Sequence, residues 1–214
     1  MSLIRFLAFQ LLNFYLAIRY RRSFNSLQID SEAVARQIDL EKPVLLIANH
    51  ISWWDGFFAL EIYKKLKSKK DFKIVMLESE LKKFQFFRLC GAVGLIPRNR
   101  AHNQEIFNGL KGHFVCFFPE GQIMPQHLRP LHFKSGLEKL IETLHPVQIL
   151  PVALHIEPFQ FMRPTALIKL GPLIASESHG ANVSNLAALV EKNLNEVCLE
   201  WTSELCRLKD SEWK

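Results

Sequence analysis

The sequence has few cysteines and none of the spacings that would arrange them into a disulfide framework or a zinc site. Its four cysteines are scattered, and no two of them form a CxxC pair; they are Cys90, Cys116, Cys198 and Cys206. Small disulfide-rich domains and zinc modules place their cysteines at short, regular spacings. We therefore interpret the four as reduced packing residues of a cytosolic protein.

The chain also has no internal repeat and no low-complexity linker, so its 214 residues fit one domain, or one domain with an appendage. Hydrophobic residues make up 49% and charged residues 22% of the sequence, which excludes a disordered tail protein. The formal net charge of +6 favours an anionic partner, either a membrane surface or a nucleic acid. Because the basic residues are not interleaved with aromatics in a recognisable module, we expect no nucleic-acid partner.

The N-terminal apolar run, residues 3–18, is too short for a transmembrane helix, which needs roughly 20 residues. Three polar residues on one side interrupt it: Arg5, Gln10 and Asn13. A basic segment, residues 19–22, follows the run, whereas a signal peptide carries its charge first. The pattern predicts that residues 1–25 form an amphipathic helix in a membrane interface, with its arginines on anionic headgroups. The alternative is a helix docked on the protein's own core.

In the remaining domain, residues 26–214, short branched apolar runs alternate with segments of helical periodicity. This alternation predicts an α/β fold with a largely parallel central sheet flanked by helices. The predicted strands are 43–48, 72–76, a short strand within 91–100, a strand within 113–121, 147–154 and 165–170. The predicted helices are 55–66, 79–89, 101–111, 133–144 and 182–208.

His50 and Asp55 lie five positions apart, just after the predicted strand 43–48. A loop with one helical turn would fold the Asp55 carboxylate back onto the imidazole of His50. A carboxylate on one ring nitrogen sets the tautomer and leaves the other nitrogen free to act as a base. The alternative is that Asp55 only caps the start of the following helix.

Two further loops leave strand ends with polar groups. Arg100 closes one of them, and its planar guanidinium suits a phosphate or carboxylate. Glu120 and Gly121 follow the buried strand within 113–121, and a glycine there would let backbone N–H groups approach a ligand. Ligands of open α/β sheets bind outside the carboxyl ends of the strands, so we expect these residues to converge on His50. The alternatives are a surface arginine and an ordinary turn acid.

Four segments, in order, resemble the motif blocks of the glycerophospholipid acyltransferase family. They are AsnHisIleSerTrpTrpAsp (49–55), GlyLeuIleProArgAsnArg (94–100), PhePheProGluGly (117–121) and IleLeuProValAla (149–153). Residues 133–136 and 170–174 also resemble segments of that family, so the resemblance spans roughly residues 40–175. Any one block is a weak signal, whereas four blocks in order make a strong match.

The resemblance implies an acyltransferase domain over residues 26–214 that moves an acyl group from acyl-CoA or acyl-carrier protein to a lysophospholipid hydroxyl, such as that of 1-acylglycerol-3-phosphate. His50 would be the catalytic base and Asp55 its orienting acid, while Arg100, Glu120 and Gly121 would hold the acceptor's phosphate. Such an enzyme of phospholipid biosynthesis needs no metal and no other cofactor. We expect it to be peripheral on the cytoplasmic face of the cell membrane, against an anionic surface.

The sequence departs from the family after Gly121. The family commonly continues with Thr-Arg-Ser, whereas residues 122–124 are Gln, Ile and Met, which removes a hydroxyl and a cation. Arg98 and Arg129 are the nearby cations that this sequence offers instead. Two alternatives therefore stay open: an acceptor without phosphate, such as an aminoacyl lipid or glycolipid, and a non-catalytic lipid-binding relative.

Overall fold

A computed structural model describes residues 3–176 and 183–205 of the chain. The described part forms an eight-stranded sheet with a hydrophobic core on each face. The strands are β1 Ser26–Asp30, β2 Val44–Ala48, β3 Phe72–Leu77, β4 Ala92–Leu95, β5 Phe114–Phe117, β6 Gln148–Glu157, β7 Thr165–Leu170 and β8 Ile174–Ala175. The helices are α1 Leu3–Ser23, α2 Glu32–Ala35, α3 Asp55–Leu66, α4 Glu78–Lys83, α5 Phe86–Leu89, α6 Arg100–Asn108, α7 Gly136–Leu144 and α8 Val183–Leu205.

The strand order is β1-β7-β6-β2-β5-β3-β4, and β8 pairs with β6. Strands β6, β2, β5, β3 and β4 are parallel, β7 is antiparallel to β6, and β1 is parallel to β7. The predicted α/β fold with a largely parallel sheet is confirmed. Successive residues of β2 alternate between the two cores, which is why a continuous apolar run marks a strand covered on both faces.

Several predicted boundaries move because of contacts that are distant in sequence. The predicted helix 79–89 is two helices, α4 and α5, interrupted at Phe84, where φ is −127° and ψ is 56°. Helix α7 begins at Gly136 rather than at 133, because the Lys134 N–H donates to the Pro119 carbonyl at 3.0 Å. Strand β1 and helix α2 were not predicted; β1 is a half-buried edge strand without a strong apolar run.

Helix α1 both docks on the protein and exposes apolar side chains. Its buried side is Ala8, Leu12 and Leu16, which join the core shared with β2 and α3. Its other side exposes large apolar residues: Leu3, Ile4, Leu7, Leu11, Phe14 and Ile18. Two of its interrupting polar residues contact the protein, since Arg5 lies 4.0 Å from the Asp71 carboxylate and Asn13 accepts a hydrogen bond from Lys64 Nζ at 3.3 Å.

Within the described ranges, no helix combines the length and apolar character that crossing a bilayer requires. The division of the chain into residues 1–25 and 26–214 stays a prediction. Residues 182 and 206–208 of the predicted C-terminal helix, with Cys206, lie outside the described residues. The other three cysteines are free and buried, and burial raises the pKa of Cys90 and of Cys198 to about 11.

Candidate active site

The loop between β2 and α3 begins at a buried asparagine that ties it to the neighbouring strand. Asn49 is fully buried, and its amide makes two hydrogen bonds with the backbone of Leu154 in β6. Its Nδ2 donates to the Leu154 carbonyl at 2.9 Å, and its Oδ1 accepts from the Leu154 N–H at 2.7 Å. The residue before His50 is therefore held by the sheet, and the loop starts from a rigid point. Asn49 is the first residue of the motif segment 49–55, but its role was not predicted from the sequence.

Asp55, the first residue of α3, is fully buried and folds back onto the loop as the five-residue spacing predicted. One oxygen, Oδ2, contacts His50 Nδ1 at 2.8 Å and accepts the N–H groups of Ile51 and Ser52 at 2.6 and 2.8 Å. The other oxygen accepts the Ser52 hydroxyl at 2.5 Å. Asp55 is thus bound to the loop rather than serving as the helix cap, a position that Trp54 occupies without a side-chain hydrogen bond.

The His50 ring is oriented on two sides. Asp55 contacts its Nδ1, and the ring stacks on Phe118 with ring centroids 4.6 Å apart. No described residue hydrogen-bonds to its Nε2, and the side chain is 23% exposed where it lines a cleft. An imidazole held through Nδ1 by a carboxylate presents Nε2 as a base to whatever occupies that cleft.

The loop after β5 hydrogen-bonds to both the backbone N–H and the backbone carbonyl of His50. Glu120 Oε2 accepts the His50 N–H at 2.8 Å, and the Met124 N–H donates to the His50 carbonyl at 2.7 Å. Glu120 is 6% exposed, and burial raises the pKa of its carboxyl, an effect that the hydrogen bond from His50 opposes. The structure therefore places Glu120 behind the loop that carries His50, and no described hydrogen bond or ion pair joins it to Arg100.

Gly121 has a φ of +65°, a left-handed conformation that favours glycine. Its own N–H donates to the Phe118 carbonyl at 3.1 Å within a turn, while the approach of backbone N–H groups here to a ligand stays a prediction. The side chain of Lys134 lies directly over it. Lys134 was not predicted as a site residue, although it lies in the Phe-Lys-Ser-Gly segment (133–136) that resembles the family.

A single cleft of about 1060 Å³ collects these groups at the carboxyl ends of the parallel strands. His50, Arg100 and Gly121 line it, while Asp55 and Glu120 lie behind His50. Its buried lining is apolar and includes Phe57, Leu60, Phe72, Val75, Cys90, Ala92 and Phe107. The predicted residues therefore share one place in the fold, and their individual roles stay predictions.

Exposed basic side chains border the same cleft; we call Arg98, Arg100, Lys134 and Lys139 the basic rim. Lys139 pairs with Glu142 at 2.8 Å. The other three members of the rim have no carboxylate partner among residues 3–176 and 183–205. The same residues contain no group of three His, Cys, Asp or Glu side chains that is arranged to hold a metal ion. An apolar cleft with unpaired cations at its border suits an anionic amphiphile.

Comparison with known proteins agrees with this geometry. A sequence model of the acyltransferase family matches residues 27–155, which include all five predicted site residues. No curated protein matches the sequence significantly. Among solved structures, the chain is similar to the 1-acyl-sn-glycerophosphate (LPA) acyltransferase PlsC from Thermotoga maritima, with a TM-score of 0.60 and 19% identity. The similarity covers 86% of this chain and 74% of that one, and at this identity it concerns the fold.

Proposed function

Because the chain belongs to the acyltransferase family, we propose that it moves a fatty acyl group from acyl-CoA or acyl-carrier protein to the hydroxyl of a lysophospholipid such as 1-acylglycerol-3-phosphate. The observation that carries this proposal is the His50–Asp55 pair, joined at 2.8 Å, at a cleft with an apolar lining and unpaired cations. The fold shared with an LPA acyltransferase supports the choice of acceptor.

In this mechanism His50 Nε2 takes the proton of the acceptor hydroxyl as its oxygen attacks the thioester carbonyl. A new C–O bond forms in a tetrahedral intermediate, and the C–S bond breaks when the intermediate collapses. The departing thiolate receives the proton that His50 holds, so the imidazole is neutral again at the end of the cycle. Asp55 stabilises the imidazolium between the two transfers and keeps Nδ1 protonated.

The remaining predicted residues have supporting roles in this proposal. Arg100 binds the acceptor's phosphate, because it is exposed at the cleft, pairs with no carboxylate of the described residues and carries a planar donor set. Glu120 positions His50 by accepting the hydrogen bond of the His50 backbone N–H; it does not contact the acceptor. Gly121, which has no side chain, leaves room at the cleft for the side chain of Lys134.

The apolar lining supplies the affinity for acyl chains. Phenylalanine, leucine and valine side chains from α3, β3 and α6 meet there, and transfer of each methylene from water contributes about 0.8 kcal/mol. Binding of this kind discriminates weakly between chains that differ by one methylene. The basic rim and the apolar lining together favour an acceptor with one acyl chain and one anionic headgroup.

The direct test is thiol release from acyl-CoA by the purified protein, with and without 1-acylglycerol-3-phosphate. We expect release to depend on the acceptor and the doubly acylated product to appear by mass spectrometry. Acyl-carrier protein is the second donor, and monoacylglycerol and an aminoacyl lysolipid are the comparison acceptors. Binding of lysolipid without thiol release from either donor would contradict the proposal and favour a non-catalytic lipid-binding protein.

We also propose that the protein is peripheral on the cytoplasmic face of the membrane and docks through the exposed side of α1. The exposed leucines, isoleucines and phenylalanine of α1 lie opposite its docked residues, and Arg21 and Arg22 occupy its last turn. Exposed apolar side chains on a helix of this kind insert into the headgroup region, while arginines attract anionic lipid. The cytoplasmic side follows from the donors, which are cytoplasmic thioesters.

Leu11→Glu is expected to lower binding to vesicles that contain anionic phospholipid by at least ~10-fold, since a buried leucine contributes about 1.5–3 kcal/mol. Leu11 is 63% exposed on α1, and Leu199, 55% exposed on α8, offers a matched control in Leu199→Glu. Co-sedimentation with vesicles measures both variants. Equal losses for the two would show that α1 is not the docking element.

A further inference from the structure

The backbone of Lys134 is tied to the turn that holds His50. Its N–H donates to the Pro119 carbonyl at 3.0 Å, and the next residue along that turn, Glu120, accepts the His50 N–H at 2.8 Å. Two hydrogen bonds therefore connect the start of α7 to the catalytic loop. The position of Lys134 relative to the proposed base is determined by this short connection.

The side chain of Lys134 passes over Gly121 at the edge of the cleft. Its Nζ, Cδ and Cε lie 3.1, 3.2 and 3.5 Å from the point that a Cβ on residue 121 would occupy. A larger residue at 121 would displace this side chain and would also be strained at a φ of +65°. The glycine thus allows an ammonium group to lie beside the turn, where both residues line the cleft.

Nothing in the described part of the chain neutralises this ammonium. Lys134, just before α7, is exposed and forms no ion pair there, whereas Lys139, within α7, is paired with Glu142. Residues 122–124, which continue the turn, are uncharged. An anion beside Gly121 would meet the Glu120 carboxyl nearby, so a cation at Nζ is needed there to make the turn attractive to an anion.

We propose that Lys134 is a specificity-determining residue that, with Arg100, binds the phosphate of the lysolipid acceptor; the inference rests on the acyl-transfer function proposed above. Only a few covalent bonds separate the reacting hydroxyl of 1-acylglycerol-3-phosphate from its phosphorus. The phosphate must therefore bind close to His50, where Lys134 is held. The phosphates of acyl-CoA and acyl-carrier protein are separated from the thioester by the whole pantetheine arm, which places them farther from the base.

The test measures binding in a His50→Ala background, where no turnover disturbs the equilibrium. Lys134→Ala is expected to raise the Kd for 1-acylglycerol-3-phosphate by about 10-fold, since the phosphate loses a charge-assisted hydrogen bond. The Kd for monoacylglycerol of the same chain length should not change, and Lys134→Arg should restore most of the phosphate affinity. Lys111→Ala is the matched control, because Lys111 is exposed just before β5, near the amino end of that strand, and does not line the cleft. Isothermal titration calorimetry gives each of these constants.

Three results would overturn the inference: no binding of 1-acylglycerol-3-phosphate by the parent, unchanged affinity in Lys134→Ala, or an equal loss in Lys111→Ala. With His50 intact, Lys134→Ala should raise the KM for the phosphate acceptor and leave the KM for the donor unchanged. A raised donor KM would instead assign Lys134 to the donor's phosphates. Lysine-dependent phosphate binding without thiol release would contradict the proposed function and leave the Lys134 site standing, so the two failures are distinguishable.

Discussion

His50→Ala is expected to lower kcat for acyl transfer by about 10³-fold, within the range of roughly 10² to 10⁴ that a positioned general base contributes. An alcohol is a poor nucleophile at neutral pH, and the ring nitrogen that would take its proton is lost in this variant. The KM for both substrates should change little, because in the proposed mechanism His50 contacts the reacting hydroxyl and not the chain or the headgroup. Thiol release from acyl-CoA in the presence of 1-acylglycerol-3-phosphate measures the effect.

The fold should survive this substitution, since Asp55 is the only side chain of the described residues that hydrogen-bonds to the ring, and the ring is partly exposed. His127→Ala is a suitable control, because His127 is exposed and does not line the cleft. Equal circular dichroism spectra and melting temperatures for both variants would exclude unfolding as the cause. A His50→Ala enzyme that keeps more than about a tenth of the rate would show that another group is the base.

Asp55→Asn is expected to lower kcat by about 10³-fold, because a neutral amide, whose oxygen can still accept from His50 Nδ1, cannot stabilise the imidazolium that forms when His50 takes the proton. The amide oxygen still accepts a hydrogen bond from the loop, so most of the stability should remain. Asp55→Ala should also lower the free energy of unfolding, by about 3 kcal/mol, since the N–H groups of Ile51 and Ser52 lose their acceptor. Single-turnover kinetics and urea unfolding separate the two effects.

Asp30→Asn is the matched control. Asp30 is exposed at the end of β1 and does not line the cleft, so the variant makes the same chemical change outside the site. It should keep both the rate and the midpoint of unfolding. If Asp55→Asn retains substantial turnover while folded, the imidazolium does not depend on a carboxylate for its stabilisation. The His–Asp mechanism would then be wrong even though the two side chains touch.

Local sequence signals predicted much of the fold. Within the apolar run 43–48, Val44–Ala48 form a strand whose side chains are all buried between two cores, and helix 55–66 has the predicted bounds. The His50–Asp55 contact was also predicted, since both residues belong to one short loop whose geometry depends on few torsions. The order of four motif blocks indicated the family, which the match over residues 27–155 confirmed.

Contacts across long sequence separations were not predictable in this way. The Glu120 carboxyl bonds to His50, 70 residues away, and the Asn49 amide bonds to Leu154, 105 residues away. We had assigned Glu120 to the acceptor, because a polar residue after a strand does not reveal which neighbour it faces. The passage of Lys134 over Gly121 likewise depends on how the loop returns to the sheet.

By itself the sequence determined the alternating fold, the contact between His50 and Asp55, and the family, because each depends on residues close together in the chain or on the order of short motifs. Only the tertiary structure decided where the residues around the His50–Asp55 pair lie and which partners they contact. It placed Glu120 behind His50, brought Arg100 and Lys134 to the cleft without a carboxylate partner among the described residues, and gave α1 one docked and one exposed side. The physical reason is that burial and hydrogen-bond partners are properties of the packed sheet and its returning loops, which no local pattern records.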